Sequence, residues 1–258
     1  MPECPPFNNC LREQTLSQIF HQGQKQYILL ESGLSSKFVL RIMMLQVDFH
    51  SHTFESKDSL TSPERFIAAA RRKKLDRVVI TDHNCIAGAQ AAYILDPERI
   101  IIGEEIMTTK GEILAAFVTE EIPRGLSPQE TIKRLRDQGA FVSVSHPFDS
   151  WRHGAWKLED LEDITTLVDA MEIFNARCTN AVDNQKAVEF AIAHQLAGTA
   201  GSDAHAAFEL GKARLVLPQF AGPEELRKVI REGQLQGSLS PFWVHFASYY
   251  ARWRKMVV

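Results

Sequence analysis

No stretch of this sequence reaches the roughly 18 consecutive apolar residues that a bilayer-crossing helix requires, so a membrane span is not expected. The first residues bring Pro, Asn, Glu and Gln where a secretory signal needs a basic start and a continuous apolar run. Cysteine is scarce: Cys4, Cys10, Cys85 and Cys178 are the only four, and none forms a CxxC pair. That spacing excludes a thiolate zinc finger and a disulfide framework, and it predicts reduced thiols in a cytoplasmic protein. Strong charge of one sign is also missing. A formal net charge of −3 argues against stable duplex nucleic-acid binding and against attraction to an anionic membrane. No P-loop, GxGxxG, Ser/His/Asp arrangement or fixed-period repeat is found.

What is present is enough for one large core, since 45% of 258 residues are hydrophobic. Residues 1–43 differ from the rest, with frequent Pro, Asn, Gln and Ser and no sustained apolar period. They are expected to be a poorly ordered extension; the alternative is a short helix from Leu11 to Phe20 docked on the outside. Residues 44–258 are expected to form a single domain. There, strand-like and helix-like segments alternate, the pattern of a mostly parallel sheet covered by helices. The apolar run Val39 to Val47 reads as the first strand. Ser62-Pro63-Glu64 and Ser127-Pro128-Gln129-Glu130 read as capped helix starts with proline at the first helical position. Further strands are predicted at Arg77–Thr81, Ile100–Ile102, Gly111–Val118, Phe141–Ser145, Ala170–Phe174 and Leu196–Ala200, with Arg214–Leu217 as the last. Gly111–Val118 is expected to pair with its predecessor as a hairpin. Helices are predicted at Gly88–Leu95, Asn180–His194 and Pro223–Arg231. The aromatic-rich tail beyond Ser240 is expected to close the fold as an amphipathic helix, or else to serve as a partner surface.

Chemistry collects where these strands end. In Val47-Asp48-Phe49-His50-Ser51-His52-Thr53 the side-chain period of two sends His50 and His52 to one face. Asp58, His83, Glu105, His146, Asp203 and His205 stand at or near later strand ends. Of nine histidines, five occupy these positions, while His21, His153, His194 and His245 do not. Parallel-strand barrels gather reactive groups on the face where strands end, so the pattern predicts one pocket. Mixed imidazole and carboxylate donors suit zinc, manganese or ferrous iron, and eight groups exceed what one ion uses. Two or three divalent ions are therefore expected, with the capacity to neutralise a phosphate and activate water. Arg177, two residues beyond the strand-end Asn175, is the candidate phosphate clamp, because a guanidinium pairs with phosphate oxygens in a fork. Lys57, Lys110 and Arg152 are weaker candidates.

The segments Asp48-Phe49-His50-Ser51-His52-Thr53, Thr81-Asp82-His83-Asn84, Gly103-Glu104-Glu105-Ile106, Ser145-His146-Pro147-Phe148-Asp149 and Gly201-Ser202-Asp203-Ala204-His205 occur in the order seen in the PHP (polymerase and histidinol phosphatase) family. The resemblance spans roughly residues 45–220. It implies a distorted (β/α)7 TIM-like barrel with a di- or trinuclear metal centre that hydrolyses phosphoesters. Carried over, His50, His52, Glu105 and Asp203 would hold one ion, Asp58, His83 and His205 a second, and Glu105 with His146 a third. The chain departs from the family where many relatives place a histidine after the glutamate motif; here Glu112 is the candidate oxygen ligand in its place. His146 and His205 are the candidate general acids. The expected substrate is a phosphomonoester or phosphodiester of a small metabolite, a nucleotide or a short oligonucleotide. The alternatives are a histidinol-phosphate phosphatase and a non-catalytic metal-binding interaction module. Specificity is expected to lie in loops near residues 54–60, 107–112 and 148–158.

Overall fold

The computed structural model describes residues 18–22, 25–29, 43–152 and 154–257. The chain divides into two compact units, Met1–Met44 and Leu45–Val258. In the first, strands β1 (Gln18–Gln22) and β2 (Lys25–Leu29) pair antiparallel, with Gln22 opposite Lys25. The strand at Gln18–Phe20 stands where the alternative reading had a helix ending; the rest of that helix, and most of the extension expected to be poorly ordered, fall on residues outside those described.

The second unit is built on a nine-stranded sheet. Its strands are β3 (Met44–Asp48), β4 (Arg77–Ile80), β5 (Ile100–Met107), β6 (Glu112–Ala116), β7 (Phe141–Val144), β8 (Ala170–Asn175), β9 (Ala197–Gly201), β10 (Ala213–Pro218) and β11 (Gln234–Gly237). Their spatial order is β11-β10-β3-β4-β5-β6-β7-β8-β9. Pairing is parallel from β3 to β5 and from β7 to β9, while β6 runs antiparallel to both neighbours. The sheet nearly closes, because Phe49 N donates to Ala200 O at 3.1 Å and Asp203 N to His50 O at 2.7 Å. A distorted TIM-like α/β barrel results, and its C-terminal rim is drawn tight at that seam.

Local sequence explains the helices. α1 (Pro63–Arg72) and α3 (Pro128–Asp137) each start on a serine whose hydroxyl accepts from a first-turn N–H, with proline next in line. Phe66, Ile67, Ala69 and Ala70 turn from α1 onto Leu75, Val78 and Ile80 together with Ala89 and Ala92 of α2 (Ala87–Leu95). Fully burying each large aliphatic or aromatic side chain of this kind contributes about 1.5–3 kcal/mol. α5 (Ala181–Ala193) and α6 (Pro223–Val229) complete the outer layer, and α7 (Val244–Met256) follows the last strand. Two elements differ from expectation. β11 follows the strand expected to be last; its four exposed residues carry no apolar period because it lies at a sheet edge. The five-residue α4 (Leu158–Glu162) is too short and acidic to leave a periodic signal. Among the described residues no helix is long and apolar enough to cross a membrane.

Candidate metal centre

The strand ends converge as their positions require. His50 and His52 follow β3, His83 follows β4, Glu105 lies in β5, Glu112 opens β6, His146 follows β7, and Asp203 and His205 follow β9. Gly201 makes room for this crowding, since a Cβ there would collide with the Cβ of His50. Asp203 takes a left-handed φ of 51°, a conformation Asp tolerates better than most residues.

Four donor atoms draw together here. His50 Nε2 and His52 Nε2 are 3.0 Å apart. Glu105 Oε2 stands 3.4 and 3.5 Å from these two nitrogens, and Asp203 Oδ1 stands 3.6 and 3.2 Å from them. Ligands placed tetrahedrally at the usual zinc–nitrogen distance are separated by ~3.3 Å, so these five separations have the length found between ligands of one ion.

The outer contacts set the imidazoles for this task. Glu172 Oε1 lies 3.1 Å from His50 Nδ1. Ser56 Oγ, which gives its own proton to Asp82 Oδ1 at 2.5 Å, lies 3.1 Å from His52 Nδ1 and must accept from it. His205 Nδ1 lies 2.8 Å from the carbonyl of Asp203, which can only accept. Each Nδ1 therefore carries a proton, which leaves the inward-facing Nε2 as the atom that binds a metal ion, the second-shell arrangement of metal-ligating histidines. The 3.0 Å between the two Nε2 atoms is bridged by a proton on His50 or by a metal ion in its place. Asp58 Oδ1, Glu105 Oε2 and Asp203 Oδ1, the carboxylate oxygens facing these nitrogens, are buried and have no hydrogen-bond partner. Such orphaned acceptors are costly unless a cation satisfies them, so the donor set fits divalent metal ions.

Neighbouring groups extend the cluster. Asp58 Oδ1 is 3.3 Å from His205 Nε2 and 3.6 Å from His83 Nε2. His83 Nδ1 is 2.9 Å from Glu105 Oε2, so this ring stands between the two groups. On the other side His146 Nε2 is 3.1 Å from Glu105 Oε1 and 3.5 Å from Glu112 Oε2. Burial opposes a charge on His50, yet Glu105, Asp203 and Glu172 outweigh it and raise its pKa well above the ordinary value. Burial, aided by His205 and His83, pushes His52 down to about 3. Burial and the Arg177 charge lower His205. Against burial, Arg152 and His50 hold Asp203 well below the usual carboxylate range. Burial and the adjacent Glu105 charge raise Glu112.

The four cationic candidates are placed differently. Arg152 reaches the cluster directly, with Nη2 2.5 Å from Asp203 Oδ2 and Nε 3.0 Å from Asp149 Oδ2. Arg177 is buried, its Nη2 donating to Ser248 Oγ at 2.9 Å, while its Nη1 has no partner. Lys57 is exposed at the mouth of a cavity of about 820 Å³ that also meets Arg177, Arg152 and His205. Lys110 pairs with Asp160 at 2.9 Å and does not join the cluster. Three contributors carried no strand-end signal. Glu172 is the lone acidic residue in the apolar strand Ala170–Asn175, a mismatch that marks it. Arg252, whose Nη2 is 2.7 Å from Asp58 Oδ2, arrives from α7. His245 also comes from α7 and lines the cavity, although it stands at no strand end.

Barrel and rim together define a TIM-like α/β protein whose donors suit divalent metal ions. A family model described as PHP-associated matches residues 182–235. The uncharacterised protein MJ0417 of Methanocaldococcus jannaschii is 38% identical over 172 residues, covering 66% of this chain and 69% of that one. The structure of a two-domain protein containing a predicted PHP-like metal-dependent phosphoesterase from Bacteroides vulgatus superposes with a TM-score of 0.60 at 18% identity, over 81% of this chain and 70% of that one. That of the lesion-specific endonuclease of Pyrococcus furiosus gives 0.52 at 16%, over 75% and 57%. The chain thus belongs to one family with MJ0417, carries a PHP-associated segment at residues 182–235 and has the fold of the PHP-like structure.

Proposed function

We propose that the protein is a metal-dependent phosphoesterase acting on a phosphomonoester or phosphodiester of a small metabolite, a nucleotide or a short oligonucleotide. The observation that carries this reading is the pair of inward-facing nitrogens His50 Nε2 and His52 Nε2, 3.0 Å apart and flanked by the unpartnered oxygens of Glu105 and Asp203. In this reading His50, His52, Glu105 and Asp203 hold one ion and Asp58, His83 and His205 a second. Glu105, Glu112 and His146 offer donors for a third. Manganese, zinc and ferrous iron all suit these ligands. Bound ions of this kind neutralise phosphate charge and activate water near neutral pH.

The chain's own groups supply the rest. Arg177, whose buried Nη1 has no partner, lines the cavity with Lys57 and Arg152, and this positive charge would grip a phosphate beside the cluster. His146, beside Glu105 and Glu112, and His205, which lines the cavity, are the candidate acids for the leaving oxygen. A cavity of about 820 Å³ lies within the range of small-molecule sites and is roomy enough for a nucleotide. The fold shared with a Bacteroides protein containing a predicted PHP-like metal-dependent phosphoesterase and with a Pyrococcus endonuclease is compatible with either ester class. Free thiols at Cys85 and Cys178 agree with a cytoplasmic location.

The test is hydrolysis of p-nitrophenyl phosphate and bis-p-nitrophenyl phosphate by protein loaded with Mn²⁺, followed by a screen of phosphorylated metabolites and short DNA and RNA oligomers. Turnover that disappears with chelator and returns with Mn²⁺ supports the proposal. Bound metal with no turnover of any ester refutes it.

A further inference from the structure

Helix α7 is built inside out. Its inner face carries small or polar residues, with Val244, Ser248 and Ala251 buried. Its outer face carries the large ones: Phe246, Tyr249, Tyr250 and Trp253 recur at helical spacing with Met256 beyond them, and all are exposed. Phe242 and Trp243 lengthen the stripe, and Trp243 lies 5.3 Å from Phe208 between ring centroids. A solvent-facing apolar stripe with the period of a packing helix is the mark of a face that another surface covers.

Area and charge identify that surface. The six aromatic residues Phe242, Trp243, Phe246, Tyr249, Tyr250 and Trp253 are each 54–69% exposed, and Phe242 and Tyr249 among them also line the cavity of the metal centre. At roughly 200 Å² per aromatic side chain the other four offer about 450 Å². Met256 and Phe208 bring the total to about 650 Å², within the roughly 600–1,000 Å² that each partner of a stable interface contributes. The segment Ser238–Val258 contains no Asp or Glu, and its cations Arg252, Arg254 and Lys255 lie together near one end. A two-fold axis across the middle of α7 would run two copies antiparallel. It would keep the two cationic ends apart by about the helix length, ~20 Å, and oppose aromatic to aromatic. An anionic membrane is the poorer match. Arg252 is held inward by Asp58 and Lys255 by the carbonyls of Phe54 and Ser56, which leaves Arg254 for the outer surface.

We infer that the outer face of α7 is the interface of a homodimer in which two copies of this chain pair α7 antiparallel across a two-fold axis. The same segment gives Phe242, His245, Ser248, Tyr249 and Arg252 to the cavity, so pairing braces one wall of the metal centre and abuts its mouth.

Light scattering during size-exclusion chromatography of the full-length protein, loaded from 1 to 200 µM, tests the inference. The expected result is a two-chain mass for the native protein and a one-chain mass for the doubly substituted Phe246→Glu, Trp253→Glu protein at the same loading, with unchanged far-UV circular dichroism. If that variant fails to fold, Tyr250→Cys replaces it. Position 250 lies near the centre of the stripe, so mild oxidation should link two copies of this variant and not of the native protein. A native protein that stays monomeric at 200 µM overturns the inference, as does one that is monomeric and sediments with phosphatidylcholine–phosphatidylglycerol vesicles. A folded Phe246→Glu, Trp253→Glu protein that remains dimeric overturns it too, and so does failure of Tyr250→Cys to cross-link.

Discussion

Replacing Glu172 by glutamine should disable a metal ligand that it never replaces. Glu172 Oε2 accepts from His146 N at 2.9 Å and from Asn175 Nδ2 at 3.1 Å, while Oε1 faces His50 Nδ1 at 3.1 Å. In Glu172→Gln the amide oxygen belongs where two donors wait, which turns the NH₂ group toward His50. His50 Nδ1 must then accept, so its proton moves to Nε2, the atom that points into the cluster. Disturbing such an outer contact costs 10- to 100-fold in metal affinity; because the proton here blocks the ligand atom itself, the upper end applies, about 2.7 kcal/mol. Volume and burial hardly change, so the melting temperature of the metal-free protein should stay near the native one. Competition titration of Mn²⁺ against a fluorescent chelator measures the affinity, and long-range ¹⁵N–¹H spectra of the His50 ring report which nitrogen carries the proton. A Glu172→Gln protein that binds Mn²⁺ within threefold of native, with the His50 proton still on Nδ1, would refute the reasoning.

Removing the carboxylate of Asp203 by Asp203→Ala should lower Mn²⁺-supported phosphoesterase turnover more than a hundredfold, beyond the range of an outer contact, as measured with p-nitrophenyl esters. Arg177→Ala should raise KM for a phosphomonoester roughly 10- to 100-fold, the weight of one hydrogen bond to a charged group, with metal content unchanged by elemental analysis. Glu104 is fully buried, and its one bonded oxygen accepts from Ile122 N at 3.0 Å. Burial pushes its pKa up to about 8, against an ordinary 4.5. The unfolded chain therefore releases this proton first, and stability that is intact below about pH 4.5 is lost as pH rises toward 8. Glu104→Gln should accordingly stabilise the protein by roughly 3 kcal/mol at pH 8 and by little at pH 5, read from urea unfolding at the two pH values.

Periodicity and caps made the barrel legible. Ser62 and Ser127, each followed by proline, marked two helix starts, and the apolar strands at β4, β5 and β7 announced themselves because both faces are buried. The cluster was legible for the same reason: side chains at strand ends must meet on one rim, so His50, His83, His146 and Asp203 could be assigned to a common place before their distances were known. What arrived by other routes was hidden. Arg252 and His245 reach the site from a helix roughly 40 residues beyond the last ligand strand, a tertiary approach that no local pattern encodes. Glu172 lies within a strand rather than at its end and was passed over as part of an apolar run. β11 pairs by backbone at an edge and buries nothing, so no hydrophobic signal preceded it.

The central claim, that distant imidazoles and carboxylates grip a cation cluster, is tested most directly by anomalous diffraction at the manganese edge from crystals grown with Mn²⁺. The account predicts a peak enclosed by His50 Nε2, His52 Nε2, Glu105 Oε2 and Asp203 Oδ1, with a second beside Asp58 and His205. A map with no peak among these atoms, from protein that binds Mn²⁺ elsewhere or not at all, would contradict it.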